Sequence, residues 1–306
     1  MKGLFIPVCL FNFLFCLNVS SQIAITKKPY FDEGKLLTHI ENLSSDAFEG
    51  RRTGTKGALK AQKYIINEFI KSGVKPLGKA FEQQFIFTEH RKSYTATNIL
   101  GFIKGKSKQK QCIVISAHYD HEGIKGGEIY NGADDNASGI SALFAFAEHF
   151  KKFQPEHSVI LAAFDAEELG IRGSKYFVNN AVGSGKDIVM NINMDMISRS
   201  EKKELFVVGA RNNETLKKVI LRNKPICQSI KISFGHDGHD TLDNWTYSSD
   251  HVSFYKKDIP FLYFGVEDHE DYHEPTYYFE KIDPTFYKQA VYEIISIFNK
   301  IDLLTF

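Results

Sequence analysis

Several short stretches of this sequence place histidine and carboxylate side chains where they could bind metal ions. His118 and Asp120 end an apolar, β-branched run, and a Gly-rich loop then leads to Asp134-Asp135. Residues two apart on a strand share a face, so we expect His118 and Asp120 to point the same way. A neutral His can bind a metal while a carboxylate on its other ring nitrogen fixes the tautomer. Asp135 precedes an apolar helix, at the sheet edge where α/β proteins place their sites.

Two further acidic sites follow the next apolar runs. Glu167 and Glu168 come after residues 159–164, and Asp195 lies between two Met residues after residues 188–193. Of two neighbouring carboxylates, one can coordinate a metal while the other handles a proton. Acids in the first turn of a helix, favoured by its dipole, are the alternative for this pair. Asp195 would be a costly buried charge without a partner, and a metal ion is such a partner.

The last ligand is expected to be a histidine, and two late positions offer one. His251 follows Ser249-Asp250, and His273 follows the last apolar strand by a loop that can cross its carboxyl edge. Zinc is the best match for imidazoles and carboxylates at sheet edges. Two metals about 3.5–4 Å apart would need a bridging carboxylate, for which Asp135 is the natural choice. The histidines interpreted as surface or loop residues are His39, His90, His149, His157, His236, His239 and His269.

The elements that must position these side chains alternate between helices and strands. The predicted helices are residues 31–43, 56–72, 138–150, 169–179, 213–223 and 284–301. The predicted strands are residues 97–103, 113–117, 159–164, 188–194, 205–208 and 260–264, the first two adjacent and joined by the basic turn 104–110. This alternation predicts an α/β fold whose mostly parallel central sheet has helices on both faces. Residues 22–306 are interpreted as one domain, with residues 22–95 a helical segment packed on it.

Residues 1–21 are interpreted as a signal peptide, with Lys2, an apolar run at 4–17 and small residues before a cut at Gln22. The apolar run is too short for a comfortable membrane span, so we expect an exported protein in the periplasm or the medium, with a retained membrane anchor as the alternative. The rest of the chain carries 37 basic and 37 acidic residues, which predicts no nucleic-acid partner. Cys112 is expected to be a buried thiol, and a disulfide with Cys227 is possible but not expected.

The polar loop at residues 44–54 has two interpretations. It is an ordinary connection between two helices, or its Glu49 and Arg51 form salt bridges near the mouth of the cleft.

Six motifs, taken together and in this order, resemble those of the co-catalytic dizinc aminopeptidase family, metallopeptidase family twenty-eight. The resemblance runs from about residue 98 to the C-terminus, and the 44–54 loop with its following helix is similar to the N-terminal part of exported bacterial members. The motifs are SAHYDH (116–121), NGADDNASG (131–139), DAEELG (165–170), NMDM (193–196), SDHVSF (249–254) and YHEPTY (272–277).

The resemblance implies a zinc exopeptidase-like fold and two zinc ions. His118, Asp135 and Asp195 match the ligands of one zinc. Asp135, Glu168 and His273 match those of the other, so that Asp135 bridges the two.

The resemblance also implies roles beside the metals. Glu167 falls where the family keeps its general base and acid, and Asp120 where it orients the first His. Tyr272 is similar to a tyrosine that stabilises the oxyanion in some members, and the peptide bond between residues 135 and 136 is expected to be cis. Asp250 and His251 resemble a pair at the cleft and are not interpreted as ligands.

The implied function is metal-assisted hydrolysis of the N-terminal peptide bond of substrates with a free N-terminus. A carboxypeptidase or dipeptidase of the same superfamily is the first alternative, although such relatives often carry an inserted domain. A glutaminyl-peptide cyclotransferase, with one zinc, is the second, and the Ala-Ser-Gly at 137–139 fits the peptidase better. A non-catalytic binding module is the third, against which the complete set of ligands and Glu167 argues.

Overall fold

The computed structural model describes residues 30–181, 187–211, 213–223, 226 and 229–306. The predicted signal peptide and Cys227 lie outside these residues, and Cys112 is buried within a strand. None of the described helices combines the length and the apolar character that crossing a membrane requires.

The described residues form seven α-helices and eleven β-strands. The helices are α1 Glu33–Leu43, α2 Lys56–Lys71, α3 Gly139–Lys152, α4 Arg172–Ala181, α5 Glu214–Leu221, α6 His251–Tyr255 and α7 Pro284–Ile301. The strands are β1 Lys75–Pro76, β2 Glu82–Glu89, β3 Lys92–Ile103, β4 Lys108–His118, β5 Gly123–Lys125, β6 Glu128–Tyr130, β7 His157–Phe164, β8 Asp187–Met194, β9 Glu204–Val208, β10 Lys231–Phe234 and β11 Phe261–Gly265.

Nine strands form one mixed sheet in the order β1-β3-β7-β4-β8-β11-β9-β10, with β2 paired along β3. The centre of the sheet is parallel, because β4 pairs with β7 and β8, and β8 with β11. Strands β3 and β9 join this centre antiparallel, through β7 and β11. The predicted α/β fold with a mostly parallel sheet is confirmed. The segment 22–95, predicted as helical, also contains β1, β2 and the start of β3. Strand β2 has an apolar run of only three residues, 85–87, between polar residues.

The predicted adjacency of the first two strands, residues 97–103 and 113–117, is wrong. Strand β7 lies between β3 and β4, antiparallel to the first and parallel to the second. The basic turn crosses the start of β7, where the N–H of Lys106 donates to the carbonyl of Pro155 and that of Lys108 to Glu156. The pattern of each strand indicates its burial but not its neighbour, which is set by contacts distant in sequence.

Side chains of the central strands alternate between two apolar cores on opposite faces of the sheet. On β4, Ile113 and Ile115 belong to the larger core, which α1, α2, α3, α5 and α7 complete. Val114 belongs to the smaller core with Phe177 of α4 and Phe254 of α6. Burial on both faces explains the continuous apolar runs of the sequence, and it confirms that helices cover both faces.

Four of the histidines interpreted as surface or loop residues are buried: His39, His149, His157 and His236. Each has a polar or aromatic partner that is distant in sequence. The ring of His157 contacts the carboxylate of Asp302, for example, and that of His236 stacks on Trp245 with 3.5 Å between ring centroids. Such partners reduce the cost of burying a polar ring, and local sequence does not reveal them.

The loop between α1 and α2 differs from both interpretations offered for it. Glu49 pairs at the surface with Lys60, whereas Arg51 is 1% exposed and bonds to backbone oxygens. The guanidinium donates to the carbonyls of Leu43 (2.6 Å), Asn131 (2.7 Å), Gly132 (2.8 Å) and Tyr119 (2.9 Å). Arg51 therefore fastens α1 to the loop that leads to Asp135.

We expect Arg51→Met to lower the free energy of unfolding by about 3 kcal/mol or more, because four buried carbonyls lose their donor. The matched control is Arg52→Met, since Arg52 makes a partly exposed salt bridge with Glu122 at 3.0 Å. Loss of this salt bridge should lower the free energy of unfolding by about 1 kcal/mol or less. Denaturant unfolding of the two variants measures both effects, and equal losses would contradict the role given to Arg51.

Candidate metal centre

The polar side chains predicted to bind metal follow strands whose carboxyl ends meet at one edge of the sheet. Strand β4 ends at His118, which is in register with Phe164 at the end of β7. Strand β8 ends at Met194, in register with Phe264 near the end of β11. Parallel neighbours bring these ends together, so His118, the turn after β7 and Asp195 lie side by side.

The first group consists of His118, Asp135 and Asp195, all buried. The Nε2 atom of His118 lies 3.2 Å from Oδ1 of Asp135 and 3.2 Å from Oδ1 of Asp195. A single ring nitrogen thus faces two carboxylate oxygens at equal distance. One N–H cannot serve both oxygens well, whereas a shared cation could.

The second group consists of Asp135, Glu168 and His273, with His121 beside them. The Nε2 atom of His273 lies 3.1 Å from Oδ2 of Asp135 and 3.5 Å from Oε2 of Glu168. Asp135 therefore turns Oδ1 to the first group and Oδ2 to the second. This is the arrangement that a bridging carboxylate requires.

The separations of the candidate ligand atoms fit a shared zinc ion. Charge-assisted N–H···O bonds are about 2.7–2.9 Å long. Two ligand atoms placed tetrahedrally around a zinc at about 2.0–2.1 Å are roughly 3.3 Å apart. The distances within both groups, 3.1–3.5 Å, lie around the second value. A donor set of His nitrogens and carboxylate oxygens is also one that zinc prefers.

A third group, His236 with Asp243 and Glu267, does not offer the same convergence. Nδ1 of His236 faces Asp243 and Nε2 faces Glu267, so opposite sides of the ring are used. Both carboxylates are well exposed. These contacts are typical of a buried ring that bonds to carboxylates at the surface.

Asp120 lies beneath the first group. The Nδ1 atom of His118 is 3.1 Å from the backbone oxygen of Asp120 and 3.8 Å from its carboxylate. The carboxylate accepts from the backbone N–H of Glu167 at 3.0 Å and of Glu168 at 3.3 Å. The backbone of Asp120 thus orients the His118 ring, and its side chain holds the turn that carries the two glutamates.

The turn at residues 133–138 carries Asp135 into both groups. The peptide bond between Asp135 and Asn136 is cis, as expected. The Asn136 amide donates to the carbonyl of Met194 at 2.9 Å and accepts from the N–H of Gly139 at 2.9 Å. The Asn136 side chain therefore joins this turn to the end of β8 and to the start of α3.

Glu167 lines a cleft of about 150 Å³ over the two groups and belongs to neither. Burial raises the pKa of Glu167 well above its usual range. The nearby carboxylates of Asp195 and Asp250 also raise this pKa, whereas the charge of His118 lowers it. A raised pKa suits a carboxyl group that takes up and returns a proton near neutral pH.

Tyr272 also lines the cleft, and its ring stacks on that of His273 with 3.9 Å between centroids. Burial raises the pKa of Tyr272, as do the charges of Asp135 and Asp195. The phenol therefore keeps its proton and can act as a donor.

Asp250 and His251 are fully buried and are not among the described residues that line the cleft. Burial raises the pKa of Asp250 to about 6, and burial lowers that of His251 to about 4. The Nε2–H of His251 donates to the carbonyl of Trp245 at 2.9 Å. The pair thus lies in the wall behind the cleft.

The structure brings further residues to the site that the sequence did not indicate. His121 joins the second group, and the cleft is also lined by Asp243, Trp245, Tyr263 and Asp268. His121 is marked only by its place in the SAHYDH motif, three residues after His118. Asp243 and Asp268 lie in loops, Trp245 in a short 3-10 helix and Tyr263 within an apolar strand, and residue type alone indicates no role for them.

Comparison with known proteins relates the chain to zinc peptidases. The model of peptidase family M28 matches residues 98–297. Aminopeptidase YwaD of Bacillus subtilis is 31% identical over 229 residues, which is 70% of this chain and 47% of that protein. The chain spans about half the length of this and another curated relative it matches.

Two solved structures show the same fold at low identity. BSAP, a zinc aminopeptidase from Bacillus subtilis, has a TM-score of 0.71 and 17% identity, covering 90% of this chain and 96% of that one. A glutaminyl cyclase of Bacteroides thetaiotaomicron has a TM-score of 0.71 and 20% identity, covering 89% of this chain and 99% of that one. The fold alone therefore does not separate the two activities.

We expect Asp135→Ala to abolish tight zinc binding, because both groups lose the carboxylate they share. The control is Asp268→Ala, which removes a carboxylate that lines the cleft but belongs to neither group. Zinc per chain is measured by elemental analysis after dialysis, with two ions expected for the wild type and the control. Retention of two zinc ions by Asp135→Ala would contradict the bridging role.

Proposed function

Because this chain belongs to peptidase family M28, we propose that it is a dizinc aminopeptidase that removes N-terminal residues from peptides. One observation carries the proposal. Asp135 directs one oxygen to His118 and the other to His273, so two ligand groups share it beneath a cleft that also holds Glu167.

The two groups would hold the metal ions in the way that the family resemblance implies. His118, Asp135 and Asp195 would bind one zinc, and Asp135, Glu168 and His273 the other. Bound zinc polarises a carbonyl group and lowers the pKa of a water molecule toward neutrality.

Glu167 is the proposed general base and acid. Its carboxylate lies in the cleft beside the ligands, and burial raises its pKa. It takes a proton from the attacking water and returns it to the leaving amine. Tyr272, protonated and stacked on His273, is placed to donate a hydrogen bond to the oxyanion that forms on the substrate.

The cleft lining supports an exopeptidase acting on free N-termini. Asp243 and Asp268 line the cleft and belong to neither of the two groups that share Asp135. They supply negative charge that favours a cationic α-amino group. The small volume of the cleft, about 150 Å³, suits one terminal residue rather than a length of chain.

The N-terminal pattern of the sequence supports export through a signal peptide at residues 1–21, to the periplasm or the medium. The balanced charge supports a protein without a nucleic-acid partner.

A glutaminyl cyclase is the second candidate, because the fold matches that of a bacterial cyclase as well as that of an aminopeptidase. The group formed by His118, Asp135 and Asp195 favours the peptidase, since a cyclase needs only one zinc. A carboxypeptidase remains the other alternative within the superfamily.

Glu167→Gln should keep both zinc ions and the fold but lose about three or more orders of magnitude in kcat, because an amide cannot accept the proton of the water. Release of the N-terminal residue from a chromogenic amino-acid amide measures kcat, and elemental analysis measures zinc. Glu122→Gln, at a residue paired with Arg52 outside the cleft, is the control. Full turnover by Glu167→Gln would refute the proposed mechanism.

Incubating the zinc-loaded protein with a mixed peptide pool should shorten only the peptides with free N-termini. The pool contains free, acetylated and Gln-headed peptides, and mass spectrometry follows each of them. Acetylation removes the cationic amine that the cleft carboxylates would bind, so acetylated peptides should persist. Loss of ammonia from Gln-headed peptides alone would indicate a cyclase, and trimming from the other end a carboxypeptidase.

A further inference from the structure

His121 is a buried histidine that contacts the second ligand group and has no role in the proposed mechanism. Its side chain is 1% exposed, and its Nδ1 atom lies 2.8 Å from Oε1 of Glu168 and 3.5 Å from Oδ2 of Asp135. Its ligand atom belongs to the same cluster as those of Asp135, Glu168 and His273. His121 is therefore either a further ligand or a residue that holds a ligand in place.

The shortest contact that His121 makes favours the second role. The candidate ligand atoms face each other at 3.1–3.5 Å, close to the roughly 3.3 Å expected around a zinc. The distance of 2.8 Å between His121 and Glu168 is instead that of a charge-assisted hydrogen bond, about 2.7–2.9 Å. In addition, His273 faces the other oxygen of Glu168, Oε2. His121 thus contacts the Glu168 oxygen that does not face His273.

The ring of His121 is fixed in this orientation by the loop that precedes Asp135. Gly132 has φ of 53°, and a Cβ atom at this position would collide with the His121 ring. The Nε2 atom of His121 is buried with no hydrogen-bond partner among the described residues. A proton on Nε2 would be an unsatisfied buried donor, and Nδ1 would then present a lone pair to a carboxylate. The tautomer protonated at Nδ1 avoids both costs.

We propose that His121 is a positioning residue for the second metal. Its Nδ1–H donates to Oε1 of Glu168 and so presents Oε2 to the ion. This inference rests on the proposed pair of zinc ions. Without the hydrogen bond, the Glu168 carboxylate could rotate about its last torsion, and the ion would lose a preorganised ligand. Loss of such a supporting contact typically weakens metal binding by about 10–100-fold.

Two variants of His121 separate the hydrogen bond from the space that the ring fills. His121→Phe keeps an aromatic ring without a donor, whereas the amide nitrogen of His121→Asn can replace Nδ1. The control is His90→Phe, because His90 is 93% exposed and lies outside both groups. Circular dichroism and thermal melting of the metal-free proteins establish that each variant is folded.

The measurement is a zinc titration of each metal-free protein in competition with a chromophoric chelator, which resolves two dissociation constants. We expect His121→Phe to weaken one site by about 10–100-fold while the other changes by less than about threefold. His121→Asn and His90→Phe should match the wild type within about threefold. This comparison uses zinc dissociation constants and does not depend on enzyme turnover.

The outcomes separate this inference from the proposed function. A wild type that binds only one zinc would overturn the proposed metal pair, and this inference with it. Two sites of unchanged affinity in His121→Phe would overturn the inference alone. Weakening in His121→Asn as large as in His121→Phe, with a changed visible spectrum of the cobalt-substituted protein, would show that His121 is a ligand and overturn it too.

Discussion

The site depends on one buried carboxylate that two groups of side chains share. Asp135 is 4% exposed, and its two oxygens face imidazoles on opposite sides. Burying an isolated carboxylate costs several kcal/mol of desolvation free energy. Other groups must therefore hold Asp135 in place and offset this cost. Arg51 holds the preceding loop through the carbonyls of residues 131 and 132. Asn136 holds the following residue through the carbonyl at the end of β8. The imidazoles, with the proposed metals, provide the compensation.

The acids around this carboxylate have separate tasks because their environments differ. Asp120 accepts hydrogen bonds from the backbone of the 167–168 turn and so acts as part of the scaffold. Asp165, one residue past β7, is saturated by Thr53, Tyr119 and the backbone of Thr97. Glu167 lines the cleft and has no such set of donors among the residues that the structure describes. All three side chains are carboxylates at the same edge of the sheet. Their hydrogen bonds determine which of them can exchange protons.

Sequence revealed the parts of the site that interrupt an apolar pattern. His118 and Asp195 stand at the ends of buried strands, where a polar residue needs a partner, and the structure brings both to Asp135. The roles of Arg51 and His121 depend instead on which backbone or carboxylate approaches from elsewhere in the chain. The insertion of β7 between β3 and β4 was hidden for the same reason. Local sequence patterns indicate which residues are buried. They do not indicate which residues far away in the sequence will contact them, because the fold determines those contacts.

The hydrogen bonds of Arg51 extend the structural unit of this chain beyond the region that matches the family. The family model begins at residue 98, yet Arg51 and Thr53 bond to residues that shape the site within the matched region. A segment cut at that boundary would leave several buried oxygen atoms without their donors. In this chain the α1–α2 loop and the edge of the sheet therefore form one structural unit, and a shortened chain would have to keep both.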